Sequence, residues 1–185
     1  AQYDYARSGN PNRTLLEEKL ARLEGGKYAF AYASGIAAIT AVLLTLKSDD
    51  HVILPDDIYG GTLRLTEQIL NRFNIKFTTV NATNILEIKN AIQSNTKLIY
   101  VETPSNPLFK ITDIRAVARI AKQNNLLLAV DNTFMTPLGQ SPLALGADIV
   151  VHSATKFLGG HSDLIAGAAI TNRKDIADAL YLLQN

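Results

Sequence analysis

The apolar segments of this chain are continuous where those of a half-exposed sheet would alternate. LLLAV at 126–130, LIYV at 98–101, VIL at 52–54 and IVV at 149–151 run without a polar residue between. A strand that is apolar at every position is covered on both faces, and a parallel sheet with helices above and below covers both. Stretches of helical character fall between these runs. NRTLLEEKLARLEGG at 12–26 spaces Leu15, Leu16, Leu20 and Leu23 close to a helical period; Thr14 and Glu17 suggest a capping box, and Gly25-Gly26 a stop. IAAITAVLLTL reads as a buried helix, and GTLRLTEQILNRF at 61–73 as an amphipathic one. Further helices are expected at ILEIKNAIQS, at DIRAVARIAKQNN behind Asp113 and at RKDIADALYLLQN, with a short helical turn at SPLALGA. YAFAY, IKFTTV and LIAGAAITN complete the strands. The expected fold is α/β: one domain over 1–185, a three-layer α/β/α sandwich with a mainly parallel sheet.

Composition narrows the function. The chain has 185 residues, 47% of them hydrophobic, and a formal net charge of +1. Such a balance gives no electrostatic case for a nucleic-acid or membrane partner. No apolar run is long enough to span a bilayer, and no basic-then-apolar leader opens the chain. Cysteine is absent, which excludes disulfides and thiolate chemistry and accords with a reducing cytoplasm. His51, His152 and His161 lie far apart and show no metal-ligand spacing. The chain begins at Ala1 and its one methionine is Met135, so it reads as a processed product or a piece of something longer.

In open α/β sheets, ligands bind beyond the carboxyl ends of the strands. The residues at those ends form an unusual set: Ser34-Gly35, Tyr59, Glu102 to Asn106, Asp131 to Thr133, and Ser153 to Lys156. Ser34 is either a plain N-cap or the rim of an anion site, where free N–H groups and the helix dipole favour a phosphate. Asp131 either caps the turn through Asn132 and Thr133 or is a buried anion that needs a cation, because an unpaired buried charge is costly. Lys156, between the hydroxyls of Ser153 and Thr155 and before Gly159-Gly160, is either a surface lysine or a nucleophilic amine desolvated at a dry strand end. Tyr59 packs over its loop or stacks on a flat ligand. Asn106, in the turn SNP, supports that turn or donates to a ligand oxygen. One ligand would use a phosphate cup, a carboxylate for a ring nitrogen, a stacking aromatic and an amine together: pyridoxal 5′-phosphate (PLP).

At these residues the chain resembles the Cys/Met-metabolism PLP-dependent enzymes, the group of cystathionine γ-synthase and the cystathionine β- and γ-lyases. DIVVHSATKFLGGHS at 148–162 is similar to the family's lysine-site signature throughout. YDYARSGNPNR, YASGIAAI, DIYGGT, ETPSNP and VDNTF follow the family's other motifs in order. The resemblance implies the large domain of a fold-type I PLP-dependent transferase and β- or γ-elimination or γ-replacement on sulfur amino acids or homoserine esters. It implies that Lys156 holds the cofactor and shuttles protons, and that Asp131 pairs the ring nitrogen with Thr133 beside it. Tyr59 would stack and act as an acid–base group. Gly35 and Ile36 would give N–H groups, and Ser153 and Thr155 hydroxyls, to the phosphate. Asn106 would face the ring hydroxyl or the substrate carboxylate. Tyr5 and Arg7 would reach the phosphate of a neighbouring subunit's cofactor, which implies a homo-oligomer.

The same resemblance implies a chain about twice as long, with an N-terminal arm and a C-terminal small domain that carries a carboxylate-binding arginine. The 185 residues therefore read as most of the large domain, with poor turnover expected of it alone. Gly61 stands where methionine γ-lyases carry a cysteine, which points away from that member; homoserine-ester sulfhydrylase stays open. The rivals outside the family are a non-covalent nucleotide-binding α/β module and a non-catalytic scaffold on the same fold.

Overall fold

The computed structural model describes residues 3–185. Seven strands form one sheet: β1 Tyr28–Tyr32, β2 His51–Pro55, β3 Lys76–Val80, β4 Thr96–Glu102, β5 Leu127–Asp131, β6 Ile149–His152 and β7 Gly167–Thr171. Their order is β1-β7-β6-β5-β4-β2-β3. The pairs β2–β3, β2–β4, β4–β5 and β5–β6 are parallel, and β7 runs antiparallel to both its neighbours. The sheet is mainly parallel, as the continuous apolar runs predict.

Alternation along each strand builds two cores. Val52, Leu54, Leu98, Ala129, Ile149 and Val151 face one layer with Ile39 and Val42 of α2 (Gly35–Leu43) and Leu180 of α7 (Lys174–Gln184). Ile53, Ile99, Val101, Leu128 and Val130 face the other, against Ile88 of α4 (Ile85–Asn90) and Val117 and Ile120 of α5 (Ile114–Gln123). On that second side, Leu20 and Ala21 of α1 (Pro11–Glu24) cover Val150, Ala168 and Ile170. Each fully buried Leu, Ile or Val stabilises the fold by about 1.5–3 kcal/mol. A short α3 (Gly60–Arg64) and the single turn α6 (Thr136–Gly139) complete the helices.

Local structure corrects three expectations. Helix α1 starts before Thr14: Asn10 is its N-cap, its side chain accepts from Arg13 N at 2.9 Å, and Pro11 opens the first turn. Glu17, freed from a capping box, accepts from Ala31 N at 2.8 Å and Gln184 Nε2 at 2.6 Å and so ties α1 to β1 and α7. The stop is as read, with Gly25 left-handed at φ 69°. Of the four leucines spaced along α1 only Leu20 is buried; Leu15, Leu16 and Leu23 are exposed on this chain. The segment 61–73 is not one regular helix, because α3 widens into a π turn at Leu65–Ile69 and tightens into a 3₁₀ turn at Leu70–Phe73. Asp113 does cap α5, accepting from Ala116 N at 3.0 Å.

Candidate active site

The carboxyl ends of β4, β5 and β6 and the N-terminus of α2 enclose a cleft of about 760 Å³. Gly35, Ile36, Tyr59, Asn106, Asp131, Thr133, Ser153, Thr155 and Lys156 all line it. Tyr5 and Arg7 do not. Their segment is held to α1 instead, with Arg13 donating to Arg7 O at 2.6 Å and Ser8 O at 2.9 Å, and with the Arg7 guanidinium 5.0 Å from the Tyr5 ring centre. A second, larger hollow of about 890 Å³ is lined by Lys97, Arg115, Arg119, Lys122 and Arg173 at the opposite ends of β4 and β5. It is a solvated basic surface on which no set of reactive groups converges.

One end of the cleft is an anion cup. Ser34 ends the turn after β1 and caps α2, its Oγ accepting from Ala37 N at 3.2 Å. Capping takes only one of the free first-turn donors, so Gly35 and Ile36 keep theirs for a ligand. Contact here leaves no room for side chains: a Cβ on Gly35 would lie 2.6 Å from Ser153 Cβ, and one on Gly167 2.0 Å from Ser34 O. Ser153 N donates to Thr133 Oγ1 at 2.8 Å, which turns the start of the lysine loop toward β5. Thr155 lines the cleft, but its hydroxyl exchanges hydrogen bonds with Ala166, donating to the O at 3.1 Å and accepting from the N at 3.0 Å.

The other end is anionic. Asp131 is 6% exposed; its Oδ1 accepts from Thr133 N at 3.0 Å and Thr133 Oγ1 at 2.5 Å, and its Oδ2 from Tyr100 Oη at 3.1 Å. Asp131 thus caps its own turn, yet it has no ion-pair partner among the described residues. Burial, then Asp131 and Glu102, hold the Tyr100 phenol well above its ordinary value, so it stays a donor.

Glu102 is the cleft residue to which sequence reasoning gave no role. It pairs in register with Asp131 across β4 and β5, and its Oε2 accepts from Tyr59 N at 2.9 Å. Burial, followed by the charge of Asp131, pushes its carboxyl up to about 8, against the opposing pull of the Tyr59 and Asn106 backbone N–H groups. Two carboxyl groups side by side, short of one positive charge, are what a protonated ring nitrogen would complete. The signal for Glu102 was its place at the end of an apolar strand, the same signal that marked Asp131.

Lys156 lies in a tight loop, its N donating to Ser153 O at 3.1 Å and its O accepting from Gly160 N at 2.8 Å. It shares the cleft with Asp131 but is exposed, so this chain alone does not supply the dry setting expected of it. Tyr59, 46% exposed, stands at the N-terminus of α3 with its ring over Gly61, where a Cβ would lie 2.4 Å from Cε1. Phe134 lines the cleft between Phe109, edge-on at 5.3 Å, and Phe157, tilted at 6.2 Å.

The donor set fits PLP: an anion cup, an uncompensated buried carboxylate, a flat tyrosine and an amine on one cleft. A profile described as Cys/Met metabolism PLP-dependent enzyme matches residues 1–185. A cystathionine beta-lyase of Staphylococcus haemolyticus is 86% identical over 185 residues, which are 100% of this chain and 47% of that protein. A cystathionine gamma-lyase of Bacillus subtilis is 52% identical over 183 residues, 99% of this chain and 48% of the relative. The crystal structure of cystathionine gamma-lyase from Lactobacillus plantarum complexed with L-serine superposes with a TM-score of 0.98 at 46% identity, covering 100% of this chain and 48% of that one. The chain thus spans about half the length of the curated relatives it matches, and its sheet is that of the fold-type I PLP-dependent enzymes. With motifs, sheet and cleft in agreement along its whole length, the chain belongs to the Cys/Met metabolism PLP-dependent enzyme family.

Proposed function

We propose that residues 1–185 are the cofactor-binding large domain of a trans-sulfuration lyase that breaks the β-carbon–sulfur bond of cystathionine. The observation that carries this is the buried Asp131 carboxylate, unpaired and beside Glu102, on the same cleft as Lys156 and the Ser34–Ile36 turn. The 86% identity to a cystathionine beta-lyase supports the choice of bond over γ-elimination or γ-replacement.

When bound, PLP supplies an aldehyde that condenses with amines and a ring that accepts electron density from the substrate α-carbon. The Gly35 and Ile36 N–H groups and the Ser153 hydroxyl bind its phosphate. The Thr155 hydroxyl, bonded to Ala166 on this chain, would join them on exchanging that partner. Asp131, fixed by Thr133 and Tyr100, keeps the proton on the ring nitrogen. Asn106 orients the ring hydroxyl or the substrate carboxylate. Tyr59 covers the ring face, and its phenol moves a proton near the reacting carbons. The Lys156 amine would hold the cofactor and, when free, would take the α-proton and return a proton to the leaving group; acid–base help of this kind is worth roughly 10²–10⁴-fold. Tyr5 and Arg7, away from this cleft, serve a neighbouring subunit's cofactor phosphate, so the active form is a homo-oligomer, in the cytoplasm.

Two measurements test the proposal. Borohydride reduction of the protein mixed with PLP, followed by peptide mapping, is expected to place the label on Lys156. No label, with saturable nucleotide binding instead, would leave only the non-covalent module. On cystathionine, the full-length protein that contains these residues is expected to release homocysteine, pyruvate and ammonia. Release of cysteine and 2-oxobutyrate instead refutes the β-specificity and keeps the cofactor chemistry.

A further inference from the structure

Beneath the cleft lies a buried polar cluster that the chemistry above does not use. Successive side chains on a strand point to opposite faces. Asp131 and Ser153 line the cleft, whereas their neighbours Asn132 and His152 turn to the α1 layer. Both reach Glu24, the last residue of α1: Asn132 Nδ2 donates to Glu24 Oε1 at 2.8 Å, and His152 Nε2 meets the same oxygen at 2.5 Å. Gln140 closes the ring of contacts, its Nε2 donating to Asn132 Oδ1 at 3.0 Å and Thr103 O at 3.1 Å, and its backbone O accepting from Asn132 Nδ2 at 2.9 Å. Glu24, Asn132 and His152 are 2%, 0% and 1% exposed.

Stability does not account for this cluster. Glu24 Oε2 and His152 Nδ1 are buried without a partner, and each such atom costs free energy that an apolar side chain would not. A carboxylate at the C-terminus of a helix also opposes the helix dipole. What the cluster does provide is a rigid tie between two strand ends. On the cleft side Thr133 already joins them, donating to Asp131 and accepting from Ser153 N. We infer that Glu24 is a positioning residue: through His152 and Asn132 it fixes, from below, the spacing between the turn carrying Asp131 and the loop carrying Lys156. This rests on the PLP reading, in which one rigid ring must meet the carboxylate and the amine together.

The test uses the full chain, and PLP itself as probe. Glu24→Gln keeps the volume and the shared accepting oxygen, but it puts an amide NH2 with two buried donors where Oε2 has no partner, so the side chain must shift or leave donors unsatisfied. At a temperature where it is fully folded, it is expected to bind PLP at least about tenfold more weakly. The induced circular dichroism of the bound ring should change as well. His152→Leu should behave likewise. His152→Gln, whose amide nitrogen can stand where the imidazole Nε2 stood, should restore affinity to within about twofold. Ile88→Val, a destabilised control on the buried face of α4, should bind as the parent does. If Glu24→Gln does not fold, the two His152 variants decide. Parental affinity and dichroism in Glu24→Gln and His152→Leu, or equal weakening in Ile88→Val, overturns the inference. A parent whose Lys156 takes no reduced label overturns the PLP reading and the inference with it.

Discussion

Glu102→Gln in the cofactor-free protein is the perturbation that reports most directly on the carboxyl pair. Glutamine keeps an oxygen for Tyr59 N–H and removes the titrating proton. In the parent, burial and Asp131 raise the Glu102 carboxyl from 4.5 to about 8. Between those values the folded state holds a proton that the unfolded state has lost, so stability falls as pH rises. The full contribution is present below about 4.5 and gone above about 8. One proton gives a slope of at most about 1.4 kcal/mol per pH unit. His51 acts in the opposite direction: burial lowers its value from 6.5, so protonation of the unfolded chain destabilises the fold as pH drops below that point. The two are separated by the difference between parent and variant in urea unfolding across the window. That difference is expected to grow steadily toward pH 8 and then level off. On the proposed pairing of Asp131 with the ring nitrogen, binding PLP should flatten it. Parallel stability–pH curves for parent and variant would show that Glu102 is ionised throughout and that the two carboxyls do not share a charge deficit.

Three further substitutions probe the cleft. Lys156→Ala should lose the borohydride-fixed label and at least roughly 10²–10⁴-fold in turnover, with the thermal melt unchanged because the side chain is exposed. Gly61→Ala places a methyl 2.4 Å from Tyr59 Cε1 and must swing the ring; turnover should fall while urea stability stays near the parent's. Gly167→Ala drives a Cβ to 2.0 Å from Ser34 O, which backbone cannot easily yield, so it should cost about 1–3 kcal/mol and weaken PLP binding.

Much of the fold was legible because two signals agreed. Continuous apolar runs marked β2, β4, β5 and β6 as strands covered on both faces, and the structure pairs those strands in parallel. Where the signals were local and weak, tertiary contacts decided. Thr14 and Glu17 had the spacing of a capping box, but Asn10-Pro11 offered a better start four residues earlier, and Glu17 went to Ala31 and Gln184. The periodicity of 61–73 was helical throughout, yet the chain changes winding at Leu65 and again at Leu70, which apolar spacing does not encode. The cleft residues were legible one by one as polar groups at strand ends, because that is where an open sheet leaves its carboxyl edge to solvent and ligand.

What stayed hidden depends on which strands are neighbours. Glu102 and Asp131 are 29 residues apart in the chain, and nothing in either segment says that β4 and β5 pair with these two in register. Once they do, the charge of Asp131 adds to burial in raising the Glu102 carboxyl, and the need for a cation follows from the pair more than from Asp131 alone. Glu24 is a stronger case: it ends a helix whose pattern is ordinary, 128 residues before the histidine it meets. Alternation turns Asn132 and His152 away from the cleft, so residues adjacent to Asp131 and Ser153 in sequence meet Glu24 on the opposite face. In this chain the groups that line the cleft can be found from strand ends. The groups that hold them in place emerge only when the strand order is known.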